Sequence, residues 1–489
     1  MSKQNLPDYV ASATPNPVAN RVGWLTTTAA SYAGIMLWFV FWQAVPNGGS
    51  DLSGGTLACG LPLAILSLVL AAFICYSCYY LVPGMLGMKT GLPLYIVGTS
   101  TYGVTGGFFM PGFLMGLLQF GWLAVNSYFV GLLLAAIFGG SPHETLHFTL
   151  AVLWAIGAGW IGLNGIRYVG LFASYIPVLP LFVLAFLLYK TLPHINNFNL
   201  DLVIQASQTT NNPPVLYGSQ FLGVLTLMGA YVVGFFATAG AAGCDFGMNN
   251  KDAKAVRWGG LVGVFGVTVL TGTCSLLIVC GAWGMPEFRE AIIGLANKSN
   301  ATLLNPVDLI ALIAGEQWKN ILMFLLVISA FPSACFSTLI ASNSFKTTLP
   351  KVNPYLSCGL GVFAACMLVL TTLAGRAGDV FTVIGAAFGP VCGSMMADYI
   401  LAGYRWAGPR AGFNPAGWLA WLLGLATGSI TLLAKMFGFT LPFVIPCPPV
   451  AAFLVGLCFY FLFASLGLQS QVLNMPQRID QNDSSTISE

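Results

Sequence analysis

One short stretch of the sequence has the residue types and spacing of a zinc site. The stretch His143–His147 reads H-E-x-x-H, which sets two imidazoles one helical turn apart with a glutamate beside them as general base. Such a site needs a third ligand, and the remaining histidine, His194, lies in a different predicted loop. Ser141 and Glu144 also fit a capping box with Pro142 at the first helical position. The stretch therefore favours a helix start, and a zinc membrane hydrolase is the least favoured function.

The composition excludes a soluble globular protein. Of the 489 residues, 57% are hydrophobic and 7% are charged, whereas about a quarter are charged in soluble domains. The 57 Gly and 27 Pro are typical of helices that pack closely in lipid. A net charge of +3 is too small to indicate a nucleic-acid partner. We expect an integral membrane protein in a lipid bilayer, without a cofactor and without covalent catalysis.

About twelve apolar runs are long enough to cross a bilayer, which takes roughly 20 helical residues. They divide the chain into an N-terminal tail (1–23), a transmembrane domain (24–468) and a C-terminal tail (469–489). Numbered spans 1 to 12, the runs are Trp24–Val45, Leu57–Leu81, Pro111–Phe138, Phe148–Leu163, Val169–Leu188, Phe221–Ala242, Gly259–Trp283, Ile321–Leu339, Leu356–Leu373, Val380–Leu401, Gly417–Ala434 and Phe443–Leu466.

The distribution of basic residues predicts the orientation. With twelve spans and an internal N-terminus, two thirds of the 18 Lys and Arg fall on the cytoplasmic side. This bias follows the positive-inside rule. The sequence therefore predicts a multi-pass protein of the cell membrane with both tails cytoplasmic.

The middles of the spans are nearly free of charge, so their neutral polar residues stand out. Gln119 and Asn126 lie in span 3, and Ser333 lies in span 8. Gly34 in span 1, Gly234 in span 6 and Pro332 in span 8 interrupt spans at matching places if spans 1–5 and 6–10 are inverted repeats. Paired interruptions of this kind indicate a transporter site at the midplane. Neutral hydrogen-bonding groups beside large aromatics suit a small, neutral, flat solute.

Four motifs in order resemble one family. They are GMKTGLPLYIVGTSTYGV after span 2, LLQFGWLAVN in span 3, ATAGAAGCDFGMNN at the end of span 6 and GPVCGSMMADYIL in span 10. From about Trp24 to Gly467 the chain resembles the nucleobase–cation symporters, which include cytosine and purine permeases and hydantoin transporters. The resemblance implies an all-α leucine-transporter-type fold with two inverted five-helix repeats and two added helices. It also implies import of a nucleobase or related planar heterocycle by cation-coupled alternating access.

The resemblance assigns substrate-binding roles to residues of spans 3 and 6. Trp122 stacks on the flat ring, Gln119 hydrogen-bonds its edge, and Phe236 closes the other face. Phe235 stands where cytosine permeases carry a small hydroxyl residue, which removes one hydrogen bond to the base. The implied substrate-binding residues are Gln119, Trp122, Asn126, Gly234, Phe235 and Phe236.

The resemblance also places a coupling cation, Na⁺ or H⁺, between spans 1 and 8. In sodium-coupled members span 8 supplies two adjacent hydroxyls, but here Ala334 removes one oxygen ligand. The implied cation-binding residues are Gly34, Trp38, Ala330, Ser333 and Ala334. The residues leave open which ion is used, the oligomeric state, and a same-fold carrier of allantoin, hydantoin, a vitamin precursor or an amino acid.

Overall fold

The protein is a bundle of long apolar helices. A computed structural model describes residues 6–29, 31–32, 35, 52–164, 178–208, 219–296, 306–349, 351–439, 441 and 443–475. Within these residues ten helices are long and apolar enough to cross a membrane. An eleventh apolar helix, Pro354–Leu370, has 17 residues. The described part has two isolated β-bridges and no strand, so the predicted all-α membrane class is confirmed.

Spans 2 to 12 each correspond to one helix, whereas most of span 1, including Gly34 and Trp38, lies outside the described residues. Several helices extend past the apolar run that predicted them, since hydrogen bonding continues into the polar ends. In order, spans 2 to 12 are Leu61–Thr90, Phe108–Ile137, Thr145–Asn164, Val178–Asn197, Gln220–Ala241, Ala253–Gly284, Lys319–Thr348, Pro354–Leu370, Ala377–Leu401, Pro415–Phe437 and Pro448–Ser465.

Short helices connect the spans and cover their ends. The α-helical ones are Asp8–Ala11, Leu94–Val97, Thr99–Tyr102, Leu200–Gln208, Gly243–Gly247, Pro286–Ala296 and Pro306–Ala314. Single 3₁₀ turns occupy Val18–Asn20, Gly55–Leu57 and Leu373–Gly375, and Leu192–Asn197 ends span 5 in the same form. Wider π turns occupy Leu25–Ala29, Cys75–Tyr80, Phe108–Phe113, Ala230–Gly234 and Leu261–Gly266.

The interruptions expected in spans 6 and 8 do not unwind the helices. In span 6 a π turn over Ala230–Gly234 widens one turn, and Phe235–Ala241 continues the helix. Span 8 runs from Lys319 to Thr348 with Pro332 inside it. Membrane helices tolerate such residues because local π adjustments and neighbouring helices satisfy the backbone groups that are set free.

Glycines let two pairs of spans come into backbone contact. A Cβ atom at Gly234 of span 6 would lie 2.6 Å from the carbonyl oxygen of Phe381 in span 10. A Cβ at Gly162 of span 4 would lie 2.3 Å from the carbonyl oxygen of Cys335 in span 8. Small residues at such crossings give the close packing that holds helices together in lipid. Span 3 bonds to both pairs, and the predicted site residues lie at these junctions.

Candidate functional site

Trp122 lies in an aromatic cluster built by spans 3, 6 and 10. Its ring stacks on Phe381, with centroids 5.0 Å apart and planes at 27°, and meets Phe235 edge-on at 4.6 Å. Its indole Nε1 donates to Thr238 Oγ1 at 3.1 Å. Edge-to-face and offset-stacked pairs are the favoured aromatic geometries. The indole is therefore held in one orientation by three side chains from two other spans.

Gln119 lies one turn before Trp122 on the same side of span 3, because residues three apart are neighbours on a helix. Its side chain is 6% exposed. Among the described residues its carboxamide makes one hydrogen bond, in which Nε2 donates to the Met115 Sδ at 3.5 Å. A carboxamide has two donor hydrogens and an accepting oxygen, and a thioether is a weak acceptor. Gln119 is thus a buried polar group with hydrogen-bonding capacity for a ligand.

The two phenylalanines of span 6 point to different neighbours. Phe235 contacts Trp122, as described above, whereas Phe236 is fully buried and packs against Tyr32 of span 1 with centroids 5.6 Å apart. The sequence resemblance assigned the ring-closing role to Phe236, but the described geometry brings Phe235 and Phe381 to Trp122 instead. Because Gly234 has no side chain, the backbone of span 6 can lie against the backbone of span 10 at Phe381.

Asn126 joins three spans. Its Nδ2 donates to the Ala330 carbonyl oxygen and to Ser333 Oγ, each at 3.1 Å, in span 8. Its Oδ1 accepts from Trp154 Nε1 of span 4 at 3.0 Å. These bonds engage both ends of the carboxamide. Asn126 therefore lies beside Ala330 and Ser333, which are predicted to bind the cation. Its hydrogen bonds to described residues go to spans 4 and 8, and none of them goes to Trp122 or Phe235.

The described half of the predicted cation site is compact. Ser333 Oγ donates to the Ala330 carbonyl oxygen at 2.9 Å, and Ser337 Oγ donates to the Ser333 carbonyl oxygen at 3.2 Å. Ala334 is fully buried and contributes a methyl group. Gly34 and Trp38, the other half of this prediction, lie outside the described residues.

The H-E-x-x-H stretch forms hydrogen bonds that occupy its imidazoles. His143 Nε2 pairs with the Tyr128 hydroxyl at 2.8 Å, and His147 Nε2 pairs with the Tyr128 carbonyl oxygen at 3.0 Å. The helix begins at Thr145, later than predicted, and Glu144 Oε2 accepts from the Ser141 amide at 3.0 Å. In the described part of the chain no group of three His, Cys, Asp or Glu could hold a metal ion. The stretch joins the ends of spans 3 and 4.

Sequence reasoning did not single out three residues that complete these clusters. Phe381 opens span 10 outside any quoted motif, and Trp154 is one of several aromatics in span 4. Thr238 does lie in the span 6 motif, one turn after Gly234. This position could have identified Thr238 as a site residue, because a hydroxyl one helical turn after Gly234 lies on the same face of span 6 as the predicted interruption. The other two act through contacts between spans, which no local pattern encodes.

Comparison with known proteins gives similar structures but no similar sequence family. No protein-family model matches the chain, and no curated protein matches it. The chain is similar to an inward-facing conformation of Mhp1, with a TM-score of 0.63, 16% identity and 94% of this chain and 95% of that chain covered. Mhp1, a nucleobase-cation-symport-1 family transporter, in a closed conformation with bromovinylhydantoin bound, gives a TM-score of 0.59 with the same identity and coverage. A Na⁺-coupled sialic acid symporter in a substrate-bound outward-open state gives 0.59, with 13% identity and 96% and 94% covered.

These likenesses extend over nearly the whole of each chain. At 13% to 16% identity they establish the fold, which is the leucine-transporter type that the family resemblance implied. Function has to be argued from the site, since one fold hosts many activities.

Proposed function

We propose that this chain is a secondary active transporter that imports a nucleobase or a related planar heterocycle by cation-coupled alternating access. The observation that carries the proposal is the pairing of Trp122 with Gln119. Trp122 is fixed by Phe381, Phe235 and Thr238. Gln119 lies one turn away, and its buried carboxamide makes one hydrogen bond, to Met115, within the part of the chain that the structure describes. The first offers a flat apolar face and the second a donor and an acceptor.

This pairing matches the chemistry of a neutral heterocycle. Stacking of a nucleobase on an aromatic side chain contributes about 1–3 kcal/mol by alanine substitution and requires no charge. The amide-like edge of such a ring presents a donor beside an acceptor, which a carboxamide complements. The scarcity of charge in the described parts of the span interiors also disfavours an ionic solute, because an unpaired charge there is costly.

The membrane placement belongs to the same proposal. The excess of Lys and Arg on the side of both tails supports a cell-membrane protein with cytoplasmic termini. The four sequence motifs, together with the structural similarity to Mhp1, support membership of the nucleobase–cation symporters.

A smaller ring than a purine is the second candidate class. The ring centroid of Phe235 lies 4.6 Å from that of Trp122, at the position where the resemblance implies a small hydroxyl residue, so its ring occupies space that the smaller residue would leave to the substrate. The structural neighbour Mhp1 is described with bromovinylhydantoin bound, which is a substituted five-membered ring. A hydantoin or allantoin is therefore the alternative to cytosine as the transported substrate.

Uptake by proteoliposomes tests the proposal. The purified full chain is reconstituted, and entry of labelled cytosine and labelled hydantoin is measured with unlabelled purines, uracil and allantoin as competitors. We expect saturable uptake of at least one ring that its analogues inhibit, with loss of uptake in Trp122→Ala. Absence of uptake and of competition for every heterocycle, under both a sodium and a proton gradient, would contradict the proposed substrate class.

A further inference from the structure

The orientation of the Asn126 carboxamide is fixed by Trp154. Carboxamide oxygen and nitrogen are hard to distinguish by shape, so the hydrogen-bond network has to assign them. The indole Nε1 of Trp154 can only donate, and it lies 3.0 Å from Asn126 Oδ1. The flipped amide would place two donors against each other. The amide nitrogen of Asn126 must therefore face span 8.

The two oxygens that face this nitrogen belong to Ala330 and Ser333, which are residues of span 8 that the resemblance assigns to the coupling cation. Asn126 Nδ2 lies 3.1 Å from the Ala330 carbonyl oxygen and 3.1 Å from Ser333 Oγ, and these two oxygens are 2.9 Å apart. An amide nitrogen has two hydrogens, so each of them has an acceptor. The three groups form a closed triangle of hydrogen bonds.

A sodium ion does not fit these residues. Hard cations need a set of oxygen ligands, and the buried methyl group of Ala334 stands where a second hydroxyl is implied. An ion between Ala330 and Ser333 would meet the positive hydrogens of the Asn126 amide. Displacing that amide would break both of its bonds to span 8 and leave buried donors without partners, which costs about 1–3 kcal/mol for each group.

We propose that the Asn126 carboxamide of span 3 occupies the span 8 oxygens that would otherwise face a sodium ion between spans 1 and 8, so that this chain transports its substrate without Na⁺ bound at Ala330 and Ser333. This inference rests on the proposed transport function and specifies its ion. Spans 3, 4 and 8 are then joined by hydrogen bonds through Asn126 without an ion, and a sodium gradient does not drive transport through this position.

Direct binding of radioactive sodium tests the inference without any substrate. The purified full chain is immobilised, and ²²Na⁺ binding is measured with unlabelled Na⁺ as competitor. We expect no saturable binding. Uptake of the heterocycle should also be unchanged when choline replaces sodium at constant pH. Saturable ²²Na⁺ binding that is lost in Ser333→Ala would overturn the inference, as would a gain in substrate affinity of roughly tenfold in sodium, which lies in the usual range of coupling between two ligands.

A pair of variants tests the role of the amide itself. Asn126→Asp keeps the side-chain shape, retains an acceptor for Trp154 and replaces the amide nitrogen that faces Ala330 and Ser333 by an oxygen. Combined with it, Ala334→Thr adds the hydroxyl that the sequence resemblance implies at this position. We expect this double variant to gain saturable ²²Na⁺ binding, whereas Ala334→Thr alone should gain none because the Asn126 amide remains. Binding by Ala334→Thr alone would show that the amide does not exclude the ion. If the double variant does not fold, the wild-type binding measurement decides the question.

The two proposals fail in different ways. Heterocycle uptake that requires sodium would overturn the inference and retain the transport function. Absence of heterocycle uptake together with absence of ²²Na⁺ binding would overturn the substrate class and retain the inference.

Discussion

At the scale of single residues, Trp122 carries the largest expected effect. Under the proposed function the substrate ring stacks on Trp122, so Trp122→Ala should cost about 1–3 kcal/mol of binding energy. A cost of that size lowers substrate affinity by roughly 5- to 150-fold. The measurement is substrate affinity from ligand-dependent thermal stabilisation of the detergent-solubilised protein, since bound ligand raises the melting temperature.

The matched control for Trp122 lies in the H-E-x-x-H stretch. His143 has φ of +66°, a left-handed conformation that asparagine tolerates better than alanine, so His143→Asn is the suitable substitution. Substrate affinity should remain at the wild-type value in this variant. Equal losses in His143→Asn and Trp122→Ala would show that the loss at Trp122 is a general structural effect.

Thr238 acts through Trp122 and is a positioning residue. Its hydroxyl accepts the indole N–H at 3.1 Å, and Thr238→Val keeps the shape but removes that acceptor. Loss of this hydrogen bond costs about 0.5–1.5 kcal/mol and removes one of the contacts that hold the indole in its orientation. We expect KM to rise several-fold while the maximal rate changes little. Thr238→Ser, which keeps the hydroxyl, should restore KM. A Thr238→Ser variant as impaired as Thr238→Val would refute this role.

At the scale of elements, the crossing of spans 6 and 10 positions the aromatic cluster. A methyl group at Gly234 would meet the backbone oxygen of Phe381 at 2.6 Å, and a backbone atom cannot move aside as a flexible side chain can. Gly234→Ala should therefore separate the two spans, at a cost of about 1–3 kcal/mol for overpacking. Because Phe381 stacks on Trp122, the displacement should also weaken substrate binding. Melting temperature and substrate affinity are both measured.

Gly157 in span 4 provides the control for that substitution. A Cβ atom there would meet nothing within 4 Å, and alanine is the better helix former. Gly157→Ala should be neutral or slightly stabilising. If Gly234→Ala behaved like Gly157→Ala, the close approach of spans 6 and 10 would not control the position of Phe381.

Asp245, in the short helix that follows span 6, makes the stability of this element depend on pH. The carboxyl accepts from the Leu94 amide at 3.0 Å, and burial, opposed by this bond, raises the pKa of Asp245 from 3.8 to about 6. Between these values the folded state keeps a proton that the unfolded state has lost, so the stability contribution falls as pH rises and is constant above about 6. Tyr32 and Cys244 are neighbouring ionisable side chains.

Asp245→Asn isolates that contribution, because the amide oxygen still accepts from Leu94 but cannot ionise. The melting temperature of the variant should match wild type near pH 4, and its advantage should grow until about pH 6 and then remain level. A difference that is constant with pH, or that shrinks as pH rises, would contradict a raised pKa at Asp245.

The sequence predicted the positions of the helices better than the contacts between them. In the part of the chain that the structure describes, spans 2 to 12 each correspond to a helix, because an apolar run of about 20 residues is the length that a helix needs to cross a bilayer. The sequence predicts an unwound break at Gly234, but the structure has a π turn over Ala230–Gly234. A glycine indicates that the helix is easily distorted there, but it does not indicate which hydrogen-bond pattern results. Trp122 and Gln119 stand out within span 3 alone, whereas the contacts of Trp122 with Phe381 and of Asn126 with Trp154 depend on how spans cross.

At the scale of the whole molecule, one end of the bundle is tied together by polar bonds between distant segments. Asn16 Nδ2 of the N-terminal segment donates to Asn249 Oδ1 beyond span 6 at 2.9 Å. Arg21 Nη1 donates to the Met88 carbonyl oxygen in span 2 at 2.6 Å. These bonds connect the two halves of the chain through its N-terminal segment.

The same end contains a buried ion pair between Asp398 of span 10 and Arg410. Asp398 Oδ1 accepts from Arg410 Nη2 at 3.0 Å and from the Tyr460 hydroxyl of span 12 at 2.8 Å. Arg410 Nε donates to the Ser100 carbonyl oxygen at 2.8 Å, and its Nη1 donates to the Ser470 carbonyl oxygen at 3.2 Å. The pair thereby joins spans 10 and 12 to the segment after span 2 and to the C-terminal segment.

Breaking this pair should be far more costly than breaking an exposed one. Asp398→Ala leaves the Arg410 guanidinium buried without its counter-ion, and removal of one partner of a buried pair costs about 3–5 kcal/mol. Glu316→Gln breaks the pair with Lys319, in which the Glu316 side chain is 86% exposed, and exposed pairs contribute about 0–1 kcal/mol. Melting temperatures of the two variants provide the comparison.

A double-mutant cycle then separates the ion pair from the rest of the network. Since Asp398→Ala and Arg410→Ala each strand the partner charge, the double variant should lose less stability than the sum of the two single losses. Strictly additive losses would mean that Asp398 and Arg410 act through separate bonds, Asp398 through Tyr460 and Arg410 through the Ser100 and Ser470 carbonyls. In that case the end of the bundle would be held by several independent contacts, and no single charge would control its opening.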